Sequence, residues 1–95
     1  MRMEPEQISA IREQLAAWVP GSVAFVFGSR TDPSARGGDI DLLILAEQRL
    51  LPATVRSLRR AILDKIGEQK LDIVCFARSE SHPFKDLALA TAERL

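Results

Sequence analysis

The sequence predicts a mixed α/β (α+β) fold, in which helices flank a sheet of mainly three strands. Two patterns support this prediction. Three segments carry apolar residues at helical spacing, and three apolar runs of strand length alternate with them. Apolar runs without polar alternation are typical of strands covered by helices. A chain of 95 residues can hold one hydrophobic core, so we expect a single domain over residues 1–95.

The first helix is predicted over residues 5–18. Apolar residues recur with gaps of three, four and three at Ile8, Ile11, Leu15 and Trp18. This spacing places them on one side of a helix, so we expect Trp18 to lie in the core. A Pro-Gly pair then ends the helix. Residues 22–27 (SVAFVF) form a β-branched and aromatic run, which predicts a buried strand.

The second strand is predicted over residues 39–45 (DIDLLIL), after a loop rich in glycine and small polar residues at 30–38. This loop is too short for an ordinary crossover helix, so we expect the first two strands to be antiparallel.

A second helix and a third strand follow. Pro52 suits the first turn of the helix and Gly67 its end. Its apolar residues have gaps of three, four and four, at Val55, Leu58, Ile62 and Ile66. Residues 71–76 (LDIVCF) form the third strand, which a helical connection allows to be parallel to the second. The last helix is predicted to open at Pro83 and to run to the end of the chain. One face of it would carry Phe84, Leu87, Ala88, Thr91 and Leu95.

Composition excludes several classes of protein. Thirteen Lys and Arg residues balance thirteen Asp and Glu residues, which argues against a protein that grips nucleic acid mainly by bulk charge. No run approaches the roughly 18 apolar residues of a membrane span. The polar N-terminus has no signal-peptide pattern, and a single cysteine suits a reducing compartment. We therefore expect a cytoplasmic protein with no membrane partner.

Three aspartates interrupt apolar strands and are the candidate catalytic residues. Asp39 and Asp41 are two residues apart in a strand, so their side chains point to the same face. Asp72 interrupts the third strand near its start, and it joins them if the two strands are neighbours. Three carboxylates on adjacent strands suit two Mg²⁺ or Mn²⁺ ions, roughly 3.5–4 Å apart, for phosphoryl transfer. Alternatively, Asp39 and Asp41 lie at the wet end of a strand without a function, and Asp72 is a strand-entry residue in contact with Lys70.

Gly28 and Ser29 follow the first strand directly. A glycine lets the backbone approach a ligand closely, and backbone N–H groups with a serine hydroxyl can bind phosphate. The dipeptide is equally compatible with an ordinary turn.

Together these features form an ordered set: Phe27-Gly28-Ser29-Arg30, a spacer, Asp39-Ile40-Asp41-Leu42, and a later aspartate in an apolar strand. The set resembles the DNA polymerase β-like nucleotidyltransferase superfamily, and within it the minimal nucleotidyltransferases. The resemblance extends over about residues 8–76 and implies the polymerase β palm-like fold. Gly38 departs from the pattern, since many members have serine before the Asp-x-Asp motif.

The resemblance also implies roles for individual residues. Gly28 and Ser29 would hold the β- and γ-phosphates of a nucleoside triphosphate, and Arg30 would contact the triphosphate. Asp39 and Asp41 would ligate two Mg²⁺ ions, for which Mn²⁺ is an alternative. Asp72 would ligate the catalytic ion and help to deprotonate the acceptor hydroxyl.

The implied activity is transfer of a nucleoside monophosphate, AMP from ATP, to a hydroxyl group. Minimal nucleotidyltransferases commonly pair with a HEPN-domain protein, so the resemblance implies an antitoxin that modifies a HEPN-type toxin, within a homo- or hetero-oligomer. The alternative is a non-catalytic module that binds a nucleotide or a partner and neutralises the partner by contact. The second helix carries a basic cluster at Arg56, Arg59, Arg60 and Lys65. This cluster is either a solvated face or a contact for an acidic partner or an RNA acceptor.

Overall fold

A computed structural model describes residues 3–27 and 39–95 of the chain. The elements in chain order are α1 (Pro5–Trp18), β1 (Val23–Phe27), β2 (Ile40–Ala46), α2 (Pro52–Ile66), β3 (Leu71–Ala77), α3 (Pro83–Leu89) and β4 (Glu93–Arg94). The strands form one sheet in the order β3-β2-β1-β4. The antiparallel pairing of β1 with β2 and the parallel pairing of β2 with β3 confirm both predictions of strand direction.

The two long helices begin and end where local chemistry favours it. At the start of α1, the Glu4 backbone N–H donates to Oε1 of Gln7 at 3.1 Å, and Pro5 occupies the first turn. The Gln7 side chain gives one N–H group a partner, and Pro5 has no N–H group that would need one. Helix α2 begins at Pro52 and ends before Gly67, whose φ of 91° suits a residue without a Cβ atom.

One face of the sheet is covered by both α1 and α2. The fully buried side chains on this side are Ile11, Val26, Ile40, Leu42, Ile44, Leu58 and Ile62. They come from both helices and from the inward positions of β1 and β2, as the apolar periodicity predicts. In the described part of the chain, no helix is long and apolar enough to cross a membrane.

Among residues 3–27 and 39–95, the element above the opposite face is the seven-residue helix α3. Its smaller core cluster consists of Leu43, Phe76 and Ala88, with half-buried Phe25, Phe27, Leu45, Val74 and Leu89 around it. The ring of Phe84 on α3 lies edge-on to the ring of Phe27, with the centroids 5.9 Å apart. This second face is therefore less completely covered than the first.

The prediction of a last helix running to Leu95 is wrong, and a short fourth strand adds to the three main strands that were predicted. Helix α3 ends at Leu89, and residues 93–94 form the short strand β4 beside β1. The Leu95 backbone N–H donates to the carbonyl oxygen of Ala24 at 3.0 Å. Pairing with the polar edge of β1 replaces the last helical turn, because an unpaired strand edge leaves backbone donors and acceptors without partners.

Candidate active site

Strand register brings two of the predicted aspartates together. Asp41 on β2 is the direct partner of Asp72 on β3, and Phe27 at the end of β1 is the partner of Asp41 on its other side. The residues that flank Asp41, Ile40 and Leu42, are fully buried on the side of α1 and α2. Because side chains alternate along a strand, Asp41 and Asp72 point to the less covered face.

Asp39 immediately precedes β2 and lies on the same face, two positions before Asp41. Its side chain is 51% exposed and that of Asp72 is 55% exposed. The structure therefore places all three aspartates on one face of the sheet, at the end where β2 and β3 begin, as the spacing predicts. Among residues 3–27 and 39–95, however, no three acidic, histidine or cysteine side chains converge as a metal-binding group.

The carboxyl group of Asp41 lies in an environment that disfavours its negative charge. Burial raises its pKa above the ordinary value near 3.8, and the charges of Asp72 and Asp39 raise it further. A side-chain hydrogen bond with Asp72 acts in the same direction, whereas the positive charge of Lys70 opposes it. A positive charge near Asp41 would therefore favour its ionised form.

Lys70 provides the positive charge at this edge. Its Nζ atom lies 3.9 Å from Oδ2 of Asp39 and 3.9 Å from Oδ2 of Asp72. The contact between Lys70 and Asp72 that the strand-entry interpretation expects is present, and it is compatible with a catalytic role as well. Sequence reasoning missed the contact with Asp39. That contact depends on the register of β2 and β3, in which Ile40 pairs with Leu71 and Lys70 lies beside Asp39, so spacing along the chain could not show it.

The donor set suits a hard divalent cation. Carboxylate oxygens are the ligands that Mg²⁺ and Mn²⁺ prefer. Asp41 and Asp72 are cross-strand partners, and repulsion between their charges raises the pKa of Asp41. A cation near these oxygens would offset that repulsion. Asp39, Asp41 and Asp72 are thus the residues that would hold such an ion.

The predicted phosphate-binding residues Gly28, Ser29 and Arg30 lie outside the described residues. Phe27 is the last described residue before them, and its register places it next to Asp41. A shallow apolar groove of about 200 Å³ adjoins this point. It is lined by Phe27, Phe84, Leu87, Ala88 and Thr91.

Part of the basic cluster on α2 is engaged within the chain. The Arg59 side chain donates to the carbonyl oxygen of Leu71 at 3.2 Å. Arg60 forms ion pairs with Asp64 and with Glu68 on the same exposed surface. These contacts favour the interpretation of a solvated helix face for Arg60, whereas Arg59 is half-buried against the start of β3.

Sequence comparison with protein families finds no match, and comparison with curated proteins finds none. Several solved structures match the fold. One is a complex of tri-AMPylated Shewanella oneidensis HEPN toxin with MNT antitoxin, with a TM-score of 0.73 and 20% identity over 97% of this chain and 71% of that chain. Another is a toxin–antitoxin complex with AMP-PNP, with a TM-score of 0.69 and 19% identity over 90% of this chain and 69% of that chain.

A third is a tyrosine-to-alanine mutant of the MntA-HpeT toxin–antitoxin complex. It has a TM-score of 0.67 and 20% identity, over 93% of this chain and 69% of that chain. At these identities the similarity establishes the fold. The fold implied by the resemblance to minimal nucleotidyltransferases is therefore confirmed.

Proposed function

We propose that this chain is a nucleotidyltransferase that uses Mg²⁺ or Mn²⁺ to transfer AMP from ATP to a hydroxyl group. The supporting observation is the register of β2 and β3. It places Asp41 opposite Asp72, with Asp39 on the same face, at the edge where β1 ends. Carboxylates held together on rigid strands are what two-cation phosphoryl transfer requires. The proposal extends to Gly28, Ser29 and Arg30 as the triphosphate-binding residues.

The proposed reaction is an in-line displacement at the α-phosphorus of the nucleotide. The acceptor oxygen forms a bond to this phosphorus, and the bond to the oxygen that bridges to the β-phosphate breaks, so that pyrophosphate leaves. Asp72 accepts the hydroxyl proton, directly or through water. When bound, divalent cations would supply a lowered hydroxyl pKa and neutralise charge on the leaving group. Asp39 and Asp41 would hold those cations and, through them, orient the phosphates.

We further propose that the acceptor is a HEPN-type partner protein and that the chain acts as its antitoxin. The support is similarity of fold to chains of toxin–antitoxin complexes, one of them with a tri-AMPylated HEPN toxin and one with AMP-PNP. The half-buried apolar side chains on the face below α3 are also consistent with a protein acceptor.

The test is transfer of label from α-labelled ATP to a purified HEPN-domain protein encoded beside this chain, in the presence of Mg²⁺. We expect labelling with the wild-type chain and a loss of at least about 100-fold for Asp39→Ala and Asp41→Ala, because removal of charge-stabilising groups typically costs this much. Asp64→Ala is the matched control, because Asp64 is an exposed aspartate on α2 whose partner is Arg60.

Each outcome separates the candidate functions. Labelling that persists in both Asp39→Ala and Asp41→Ala contradicts the cation mechanism. Toxin neutralisation that persists in both variants, with no labelling in any, instead identifies a non-catalytic module that acts by contact.

A further inference from the structure

We propose that Lys70 is a built-in counterion of the active site, which occupies the cation position between Asp39 and Asp72 until a divalent ion displaces it. The inference rests on the proposed function, since it concerns the same carboxylates. It adds a regulatory element, because the affinity for the metal is then set by competition with a side chain of the protein.

The geometry is that of a shared cation rather than of a single ion pair. The Lys70 Nζ atom is equidistant from Oδ2 of Asp39 and Oδ2 of Asp72, at 3.9 Å from each. Both distances are too long for hydrogen bonds, so the ammonium group is not committed to either carboxylate. The two carboxylates therefore share one positive charge, and the same oxygens would be available to a divalent ion.

Backbone hydrogen bonds fix the position of the Lys70 main chain beside Asp39. The Ile40 N–H donates to the carbonyl oxygen of Lys70 at 3.0 Å, which extends the β2–β3 ladder by one bond. Since Ile40 pairs with Leu71, Lys70 lies beside Asp39 and two positions before Asp72. The position of its Cα atom is therefore set by the same ladder that positions the carboxylates.

The ammonium group of Lys70 can move away from Asp39 and Asp72. The Lys70 side chain is 65% exposed, and a lysine stem with an exposed ammonium group can swing into water at little energetic cost. A divalent ion carries twice the charge of an ammonium group and can accept the carboxylate oxygens as direct ligands. Displacement is thus favourable at sufficient metal concentration, whereas the counterion stabilises the site when metal is scarce.

The test is a titration of the full chain with Mn²⁺ alone, without nucleotide, with free Mn²⁺ measured by electron paramagnetic resonance. Lys70→Gln removes the competitor, so we expect Mn²⁺ to bind roughly 3- to 10-fold more tightly, the size expected for a partly exposed ion pair. Lys70→Arg, which keeps the charge, should stay closer to wild type. Lys65→Gln makes the same change in net charge at an exposed position of α2 and should alter the affinity less than about twofold.

Melting of the metal-free proteins gives a second measurement. Lys70→Gln should melt at a lower temperature than wild type without metal, and saturating Mn²⁺ should remove the difference. The role of Lys70 is overturned if Lys70→Gln binds Mn²⁺ no more tightly than wild type. It is also overturned if Lys65→Gln gains as much Mn²⁺ affinity as Lys70→Gln. Either result leaves the proposed function intact. Mn²⁺ binding by Lys70→Gln but not by wild type supports it. No Mn²⁺ binding by any variant overturns both the counterion and the cation-dependent function.

Discussion

Asp41 and Asp72 are direct partners across the parallel pair of β2 and β3, and the charge of Asp72 raises the pKa of Asp41. A pairing of like charges is unfavourable in a folded protein unless a proton or a cation lies between them. The chain thus keeps an arrangement that lowers its own stability, which is typical of functional sites. This pairing leads to the first two predictions.

Replacing Asp41 with asparagine should stabilise the metal-free protein at pH 7. The folded-state pKa of Asp41 lies above 3.8, so between the two pKa values the native state binds more protons than the unfolded state. Stability then falls as the pH rises through this window. Asp41→Asn has no carboxyl group to ionise at this position and avoids this loss of stability. We therefore expect its melting temperature to be higher by roughly 2–5 °C at pH 7.

The pH dependence distinguishes this effect from a general improvement in packing. Below about pH 4 the wild-type carboxyl group is protonated in both states, so the difference in melting temperature should shrink toward zero. Differential scanning fluorimetry at pH 3.5, 5 and 7 measures it. An advantage of Asp41→Asn that is equal at all three pH values would show that charge repulsion is not its cause.

Divalent metal with nucleotide should stabilise the wild-type chain. A ligand that binds only the native state raises its stability in proportion to the logarithm of ligand concentration over Kd. At about 100 times Kd the gain is about 2.7 kcal/mol, and thermal melting with Mg²⁺ and ATP measures it. Asp72→Asn should lose most of the shift, whereas Asp86→Asn, an exposed aspartate on α3, should retain it. No shift in wild type at millimolar Mg²⁺ and ATP would contradict the proposed site.

Lys85 should be essential for the stability of the turn between β3 and α3. This lysine is only 8% exposed, and its Nζ atom donates to the carbonyl oxygens of Arg78 at 2.8 Å and Glu80 at 2.7 Å. Lys85→Met keeps the apolar stem but removes the donor, so the part-buried carbonyl groups of Arg78 and Glu80 lose this hydrogen bond. We expect a loss of about 2–3 kcal/mol in the free energy of unfolding, measured by urea denaturation. Lys65→Met, at an exposed position, should cost less than about 0.5 kcal/mol.

Glu80 should make folding sensitive to acid. Hydrogen bonds from the Arg49 guanidinium group lower the pKa of Glu80 to about 2. Because the unfolded state then binds the proton more readily, stability is present above pH 4.5 and is lost as the pH falls toward 2. Glu80→Gln should be slightly less stable than wild type at pH 7. In acid melts the two proteins should converge near pH 2, and a constant difference from pH 7 to 2 would contradict this origin.

The sequence was sufficient to predict the main elements, because their signals are local. Helical spacing and the flanking residues Pro5, Pro52 and Gly67 define α1 and α2, and β-branched runs define the central strands. At the start of α3 the capping contact is equally local, since the Nδ1 atom of His82 accepts from the Phe84 N–H at 3.1 Å.

Two predictions failed because tertiary contacts decided the outcome. Trp18 fits the apolar stripe of α1 but is 47% exposed, and Val19, the residue after the helix, is buried instead. The chain turns at the end of α1, so the next buried position follows Leu15 by four residues rather than three. In the same way, residues 90–95 satisfy a helical pattern, but the free edge of β1 pairs with two of them.

For the candidate site, spacing predicted which aspartates share a face, but only strand register shows which of them are direct neighbours. Periodicity assigns a residue to a face and gives no information about its cross-strand partner. The proximity of Asp41 to Asp72 and the double contact of Lys70 therefore became visible only in the assembled sheet.

The helical crossover between β2 and β3 has a consequence for the order in which the protein acquires its properties. Asp41 and Asp72 are separated in sequence by the whole of α2, so they become neighbours only after this helix has docked and the parallel pair has closed. No local hairpin or isolated helix can hold the pair. A partly synthesised chain that ends before β3 therefore lacks the site. Nucleotide binding at the proposed site would begin only when β3 has paired with β2, and not when any single segment has formed.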